Sequence, residues 1–235
     1  MYWTHIYFDL DNTLYDHEKA FRKTILHCAD EMLTRKNASV SPDKWFDVFK
    51  HYCDEYWEYY ESGQWTRETY QINRFQAANK TFDISTFNEE ALIFQDQYEA
   101  NVAAFAELFP GAERLLNELS DQHVRLGIIT NGSNEVQRSK IKELRLDTWF
   151  KDENIYISEQ VGIAKPDLQL FYYAKETKGN YLYIGDSMSQ DINPAIEAGF
   201  DVIYFNSRQT ASKSIDKAVP EVISFQELST VIKKY

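Results

Sequence analysis

Short apolar runs closed by turn residues recur through the second half of this chain, with amphipathic stretches before and between them. The runs are "VRLGIIT" (124–130), "NIYIS" (154–158), "YLYIG" (181–185) and "DVIYF" (201–205). The stretch "PGAERLLNELS" offers Leu115, Leu116 and Leu119 as an apolar face. "NEVQRSKIKELRL" offers Val136, Ile141 and Leu144, and "PDLQLFYYAKE" offers Leu170, Phe171 and Ala174. Strand-length runs alternating with helical periodicity fold as a parallel sheet with helices on both faces. The C-terminal "SFQELSTVIKK" opens on Ser224 and Glu227, a capping box that starts one more helix.

A fifth run, "HIYF" (5–8), stands more than a hundred residues ahead of the next one, too far for an ordinary crossover. The intervening chain reads as helical. Phe21, Ile25, Cys28 and Met32 share one face of a first helix. Ser41 and Pro42 form an N-cap and first-turn pair for a second, which carries Trp45, Phe49, Tyr52 and Tyr56 and ends before Gly63. Two further helices are predicted over about 66–80 and 88–105. Seventeen aromatic residues fall in this segment, too many for a linker, so it has a core of its own. The fold class is thus α/β, a Rossmann-like parallel-sheet core built from residues 1–15 and 107–235, with an all-helical domain inserted at 16–106.

Composition narrows the function. At 235 residues and 43% hydrophobic, the chain can bury a sizeable core. A net charge of -12 disfavours nucleic acid polymers and anionic membrane as partners. No run approaches the ~18 apolar residues that a membrane span needs, and no basic segment followed by an apolar one marks a secretory signal. Cys28 and Cys53 lie in no metal-binding or redox spacing, which suits a reducing compartment. The expectation is a soluble cytoplasmic protein, monomeric or homodimeric.

In an open parallel sheet, ligands bind beyond the carboxyl ends of the strands. "IYFDLDNTLYD" brings Asp9, Asp11 and Thr13 there, and "LGIIT" brings Thr130, Asn131 and Gly132. "YLYIG" is followed by Asp186 and, five residues on, Asp191. "EQVGIAKPD" adds Lys165 just ahead of Pro166, a first-turn residue for the next helix. Side chains two apart on an extended segment point the same way, so Asp9 and Asp11 can address one reacting centre. Asp9, Asp186 and Asp191 are hard oxygen ligands suited to Mg²⁺. Such a cation offsets the acidic field, while Lys165 and the amides near Asn131 hold the oxygens of a phosphate.

These segments resemble the motifs of the haloacid dehalogenase superfamily, on its Mg²⁺-dependent phosphatase branch with an inserted helical cap. "DLDNT" is similar to the first motif, "ITNG" to the second, "GIAKPD" to the lysine motif and "GDSMSQD" to the acidic fourth, in family order. Leu168, where relatives often have Pro, and Asn193-Pro194 before "EAG" are departures remote from the proposed chemistry. The overall style resembles small-molecule phosphatases and nucleotidases. The resemblance implies that Asp9 attacks phosphorus and becomes an aspartyl phosphate. It implies that Asp11 is the acid and then the base, that Thr130 and Asn131 hold phosphate, and that Lys165 stabilises charge. Mg²⁺ would be held by Asp9, the Asp11 backbone carbonyl and Asp186, with Asp191 beside them.

Each assignment has a plainer rival. Asp9 and Asp11 could cap a turn, Thr130 could end a strand, Lys165 could be a solvated charge, and Asp191 could complement a helix dipole. The five histidines have no metal or triad spacing. "DEYWEYYE" (54–61) could stack a base, but aromatics at helical spacing are mostly packing. Arg67 and Arg74 read as surface charges with a possible part in substrate binding. The expected substrate is a small phosphorylated metabolite, nucleoside monophosphates ahead of sugar phosphates. The insert, whose ends both emerge beside the strand of Asp9, is expected to close over the rim. The alternatives are a halide-releasing dehalogenase (against which Asp11 argues), a phosphoglucomutase-type transfer, a broad phosphate scavenger and a non-catalytic binding module.

Overall fold

The computed structural model describes residues 2–175, 178–209 and 219–234. In chain order, strand β1 (His5–Phe8) is followed by helices α1 (His17–Arg35), α2 (Pro42–Glu61), α3 (Arg67–Thr81) and α4 (Asn88–Asn101). Then come α5 (Ala112–Asp121), β2 (Arg125–Thr130), α6 (Asn134–Glu143), β3 (Ile155–Ile157), α7 (Ser158–Val161) and α8 (Leu168–Tyr173). Strand β4 (Tyr181–Gly185), α9 (Asn193–Glu197), β5 (Asp201–Phe205), β6 (Glu221–Val222) and α10 (Phe225–Ile232) complete the order. The chain divides into two compact units, Met1–Glu18 with Ala106–Tyr235, and Lys19–Phe105.

In the first unit the strands form one sheet in the order β3-β2-β1-β4-β5-β6, every pair parallel. The chain builds outward from β1 to β3 on one side and then starts again at β4 on the other. The carboxyl ends of β1 and β4 therefore flank the switch point where this topology opens a crevice. Tyr7, Tyr181, Tyr183 and Ile129 pack under α8 and α9 through Leu170, Phe171 and Ala195 on one face. On the other, Phe8 meets Phe150 edge to face and Phe205 packs on Phe225 of α10. Strands sandwiched in this way are buried along their whole length, which is why they read as unbroken apolar runs.

The second unit has a separate core of Ile25, Cys28, Met32, Trp45, Phe49, Phe75 and Phe94. Ser41 caps α2 by accepting from the Lys44 amide, with Pro42 in the first turn. Three expectations change here. Helix α4 stops at Asn101 and the chain tightens into a 3₁₀ turn over Val102–Phe105. Strand β6, two residues long, is too short to announce itself by pattern. Arg74 is buried, not a surface charge: Gln95 Oε1 accepts from it at 2.7 Å, and its guanidinium lies 4.6 Å from the centre of the Tyr70 ring. Arg67 stays half exposed and pairs with Glu99.

Candidate active site

The residues gathered by the sheet edge fall into two clusters. In the first, Lys165 Nζ donates to Asp9 Oδ1 and to Asp191 Oδ1, both at 2.6 Å. The Tyr183 hydroxyl rises from the middle of β4 to lie 2.8 Å from the same Asp191 oxygen. A π-helical turn over Met188–Ile192 folds Asp191 back onto the strand end, where its Oδ2 accepts from the Ser187 amide at 3.0 Å. Gly185 permits this approach, since a Cβ there would sit 2.5 Å from Asp191 Cγ. Arg208 Nη2 donates to Asp186 Oδ2 at 2.6 Å. Asp9, Asp186 and Asp191 each offer an oxygen within 4.8 Å of the others.

Three carboxylates so close raise one another's proton affinity. Burial pushes the Asp9 carboxyl well above its usual range, Lys165 opposes the shift, and Asp191, Asp186 and Asp11 add to it. Asp186 is pushed up to about 7 by burial and then Asp191, against Arg208 and Lys165. Burial alone would lower the Lys165 ammonium, but Asp191 and Asp9 outweigh it and keep the lysine charged. Burial and Asp191 also hold the Tyr183 phenol in its protonated form. The oxygen donors and their spacing fit a hard divalent cation.

The second cluster surrounds Asp11. Just past β1 the chain bends at Leu10, between Asp9 and Asp11, and Asn12 follows in the left-handed region at φ 60°. The carboxylates of Asp9 and Asp11 take different partners. Asp11 Oδ1 accepts from Lys140 Nζ at 2.7 Å and from the Tyr15 hydroxyl, and lies 3.2 Å from His17 Nδ1. Asp11 Oδ2 accepts from Gln137 Nε2 at 2.8 Å. Burial favours the neutral acid here, but Lys140 and His17 prevail and hold Asp11 well below the usual carboxylate range.

The predicted phosphate-binding residues are engaged within the protein. Thr130 Oγ1 accepts from Gln137 Nε2 at 2.7 Å. Asn131 exchanges two hydrogen bonds with the backbone of Lys165, at 2.8 and 3.0 Å, and so braces the lysine loop. The Gly132 amide donates to Ser158 Oγ at 3.0 Å. Thr13 is fully buried, and its hydroxyl has no partner among the described residues. Pro166 does not open a helix: α8 begins at Leu168 under Asp167, whose side chain accepts from the Gln169 amide. Lys165 and Pro166 belong to the turn before it, closed by Asp167 N to Ala164 O at 2.9 Å.

Lys140, Gln137, Tyr183 and Arg208 escape the motif reading. For the first two a signal exists in the sequence. Gln137, Lys140, Ile141 and Leu144 occupy i, i+3, i+4 and i+7, the stripe that a helix buries, and all four are buried. Val136, expected on that face, is only partly covered. Two polar residues on a core stripe imply a buried polar partner. In the helical unit, the aromatics of 54–61 pack on neighbouring rings, Tyr59 stacking on Trp65 at 4.6 Å, while Trp57 and Tyr59 keep exposed surface.

Comparison with known proteins accords with this geometry. The sequence profile of haloacid dehalogenase-like hydrolases matches residues 6–205, most of the chain. The chain belongs to the haloacid dehalogenase-like hydrolase family. Among relatives in that family, the pyrimidine 5'-nucleotidase YjjG of Escherichia coli strain K12 is 27% identical across the full length of both chains. The pyrimidine 5'-nucleotidase PynA of Streptococcus pneumoniae is 25% identical over 100% of this chain and 97% of its own. Among solved structures, magnesium-bound YfnB of Bacillus subtilis superposes with a TM-score of 0.82 at 25% identity, covering 99% of each chain. Among the described residues, no helix is long and apolar enough to cross a membrane.

Proposed function

We propose that this haloacid dehalogenase-like hydrolase is a Mg²⁺-dependent phosphatase of small phosphomonoesters, acting through an aspartyl phosphate on Asp9. The observation that carries the proposal is Lys165 bridging Asp9 and Asp191 at 2.6 Å beside Asp186, at the switch point of the sheet. Asp9 and Asp186 would hold the cation. Asp191, whose oxygens accept from Lys165 and the Ser187 amide, would chiefly orient the lysine and the loop. When bound, the cation supplies positive charge that draws a phosphate dianion to an acidic site and stabilises charge on its oxygens.

In the first half of the reaction an Asp9 oxygen bonds to phosphorus while the ester P–O bond breaks. Lys165, fixed on Asp9 Oδ1, sets the orientation of the nucleophile and offsets charge on the phosphoryl oxygens. Asp11, after taking a proton from solvent, passes it to the departing alkoxide oxygen. In the second half Asp11 takes a proton from water, the water oxygen bonds to phosphorus and the bond to Asp9 breaks. Inorganic phosphate leaves, Asp9 is regenerated as a carboxylate, and Asp11 keeps the proton for the next leaving group or returns it to solvent.

Nucleoside monophosphates are the favoured substrates. Two relatives of matching length are named pyrimidine 5'-nucleotidases. The test is phosphate release from nucleoside monophosphates, sugar phosphates and p-nitrophenyl phosphate, with Mg²⁺ and with EDTA. The proposal expects release only with Mg²⁺ and a preference for nucleotides of about tenfold, or 1.4 kcal/mol. Full activity in EDTA would refute the metal assignment, and an equal preference for sugar phosphates would leave a broad scavenger.

A further inference from the structure

Helix α6 sends two polar side chains, one turn apart, to the two oxygens of a single carboxylate. Lys140 is 4% exposed and Gln137 1% exposed, so both are committed to the interior. Lysine left unpaired at such a depth is costly, and a glutamine needs its hydrogen bonds satisfied. Their shared partner is Asp11, 2.7 Å from Lys140 Nζ and 2.8 Å from Gln137 Nε2. Gln137 also reaches Thr130 Oγ1 at 2.7 Å and the Asn131 carbonyl at 3.1 Å, tying the loop after β1 to the loop after β2. Gly132 leaves the room it needs, for a Cβ there would stand 3.1 Å from Gln137 Cδ.

The chemistry of the donors gives this arrangement a direction. An ammonium has three N–H donors and no acceptor, and an amide NH₂ likewise only donates. Each Asp11 oxygen thus meets one of these donors, and Oδ1 also accepts from the Tyr15 hydroxyl and lies 3.2 Å from His17 Nδ1. The carboxyl is thereby held through both of its oxygens, in one orientation beside the loop of Thr130 and Asn131. We infer that Lys140 and Gln137 are positioning residues for Asp11 that serve the second half of the proposed reaction, in which Asp11 takes the proton of the water attacking the phosphoenzyme. The inference rests on the covalent phosphatase reading above and adds two residues and one step to it. In that step the O–H bond of water breaks toward Asp11, its oxygen bonds to phosphorus and Asp9 departs as a carboxylate.

Rapid-quench kinetics on the full chain, with Mg²⁺ and p-nitrophenyl phosphate radiolabelled at phosphorus, separate the two halves. Lys140→Met is expected to slow phosphoenzyme decay about tenfold or more, a part of the range for general acid–base catalysis. Phosphoenzyme formation should change far less, so KM falls along with kcat and kcat/KM is nearly kept. Lys140→Arg, which keeps a charged donor, should restore most of the decay rate. If Lys140→Met fails to fold, as a melting curve shows directly, Gln137→Leu carries the same test. Formation and decay slowed to the same extent, or decay left unchanged, would overturn the inference. A wild-type enzyme that turns over without forming any phosphoenzyme would overturn the covalent reading and this step with it, and that outcome is recognisable without any variant.

Discussion

Lys165 serves two buried carboxylates at once, which gives its removal a structural cost as well as a catalytic one. Taking one partner from a buried ion pair leaves a charge without compensation, typically at about 3–5 kcal/mol. Lys165→Met should therefore lower stability to urea by roughly that amount in the absence of metal, and by less with Mg²⁺ present. Equal stability of variant and wild type in EDTA would show that the Asp9–Lys165–Asp191 bridge contributes little. At this scale the sequence displays Asp9, Lys165, Asp186 and Asp191 because each sits in a short local motif at a strand end. Lys140 and Gln137 stay hidden because the group that explains them, Asp11, is 129 and 126 residues away. Only the polar break in the α6 stripe betrays them. The bend at Leu10, between Asp9 and Asp11, leaves no mark in a reading of side chains two apart.

Among the elements, the junction of β4 with the π-helical turn is the most tightly built part of the site. Asp191 reaches Lys165 because Gly185 has no side chain, a Cβ there lying 2.5 Å from both Asp191 Cβ and Cγ. Gly185→Ala should push Asp191 off the lysine, destabilise the fold by about 1–3 kcal/mol as overpacking does, and cut phosphatase activity. Unchanged denaturation and kinetics in that variant would contradict the packing argument. Five of the strands are legible from apolar runs because burial on both faces removes any need for polar residues. Strand β6 is not, since Glu221–Val222 gives no period to read. The helices of the insert are legible from their caps and aromatic spacing. The burial of Arg74 is not, because Gln95 and the Phe49 ring, on other helices, are brought to it by tertiary packing.

For the whole molecule, the net charge of -12 makes cation binding a global as well as a local matter. The Asp186 carboxyl is pushed up to about 7 by burial and Asp191, above its value in an unfolded chain. Its contribution to stability is thus full below the ordinary carboxylate pKa and is lost as the pH rises through about 7. A cation binds the ionised form, so protons compete with it most on the acid side of that value. Mg²⁺ should raise the Tm more at about pH 8 than at about pH 6, a difference that differential scanning fluorimetry can read. An identical shift at both values would exclude Asp186 as a ligand with raised proton affinity.

The central claim is that Asp9 carries the phosphoryl group, and trapping that group tests it most directly. Wild-type protein and Asp9→Asn would each be mixed with Mg²⁺ and p-nitrophenyl phosphate, quenched in acid during turnover and digested for peptide mass mapping. The account predicts one phosphoryl group on the wild-type peptide containing Asp9, and neither adduct nor turnover in Asp9→Asn. Turnover at the wild-type rate by Asp9→Asn, or a phosphoryl group carried on another residue, would contradict it.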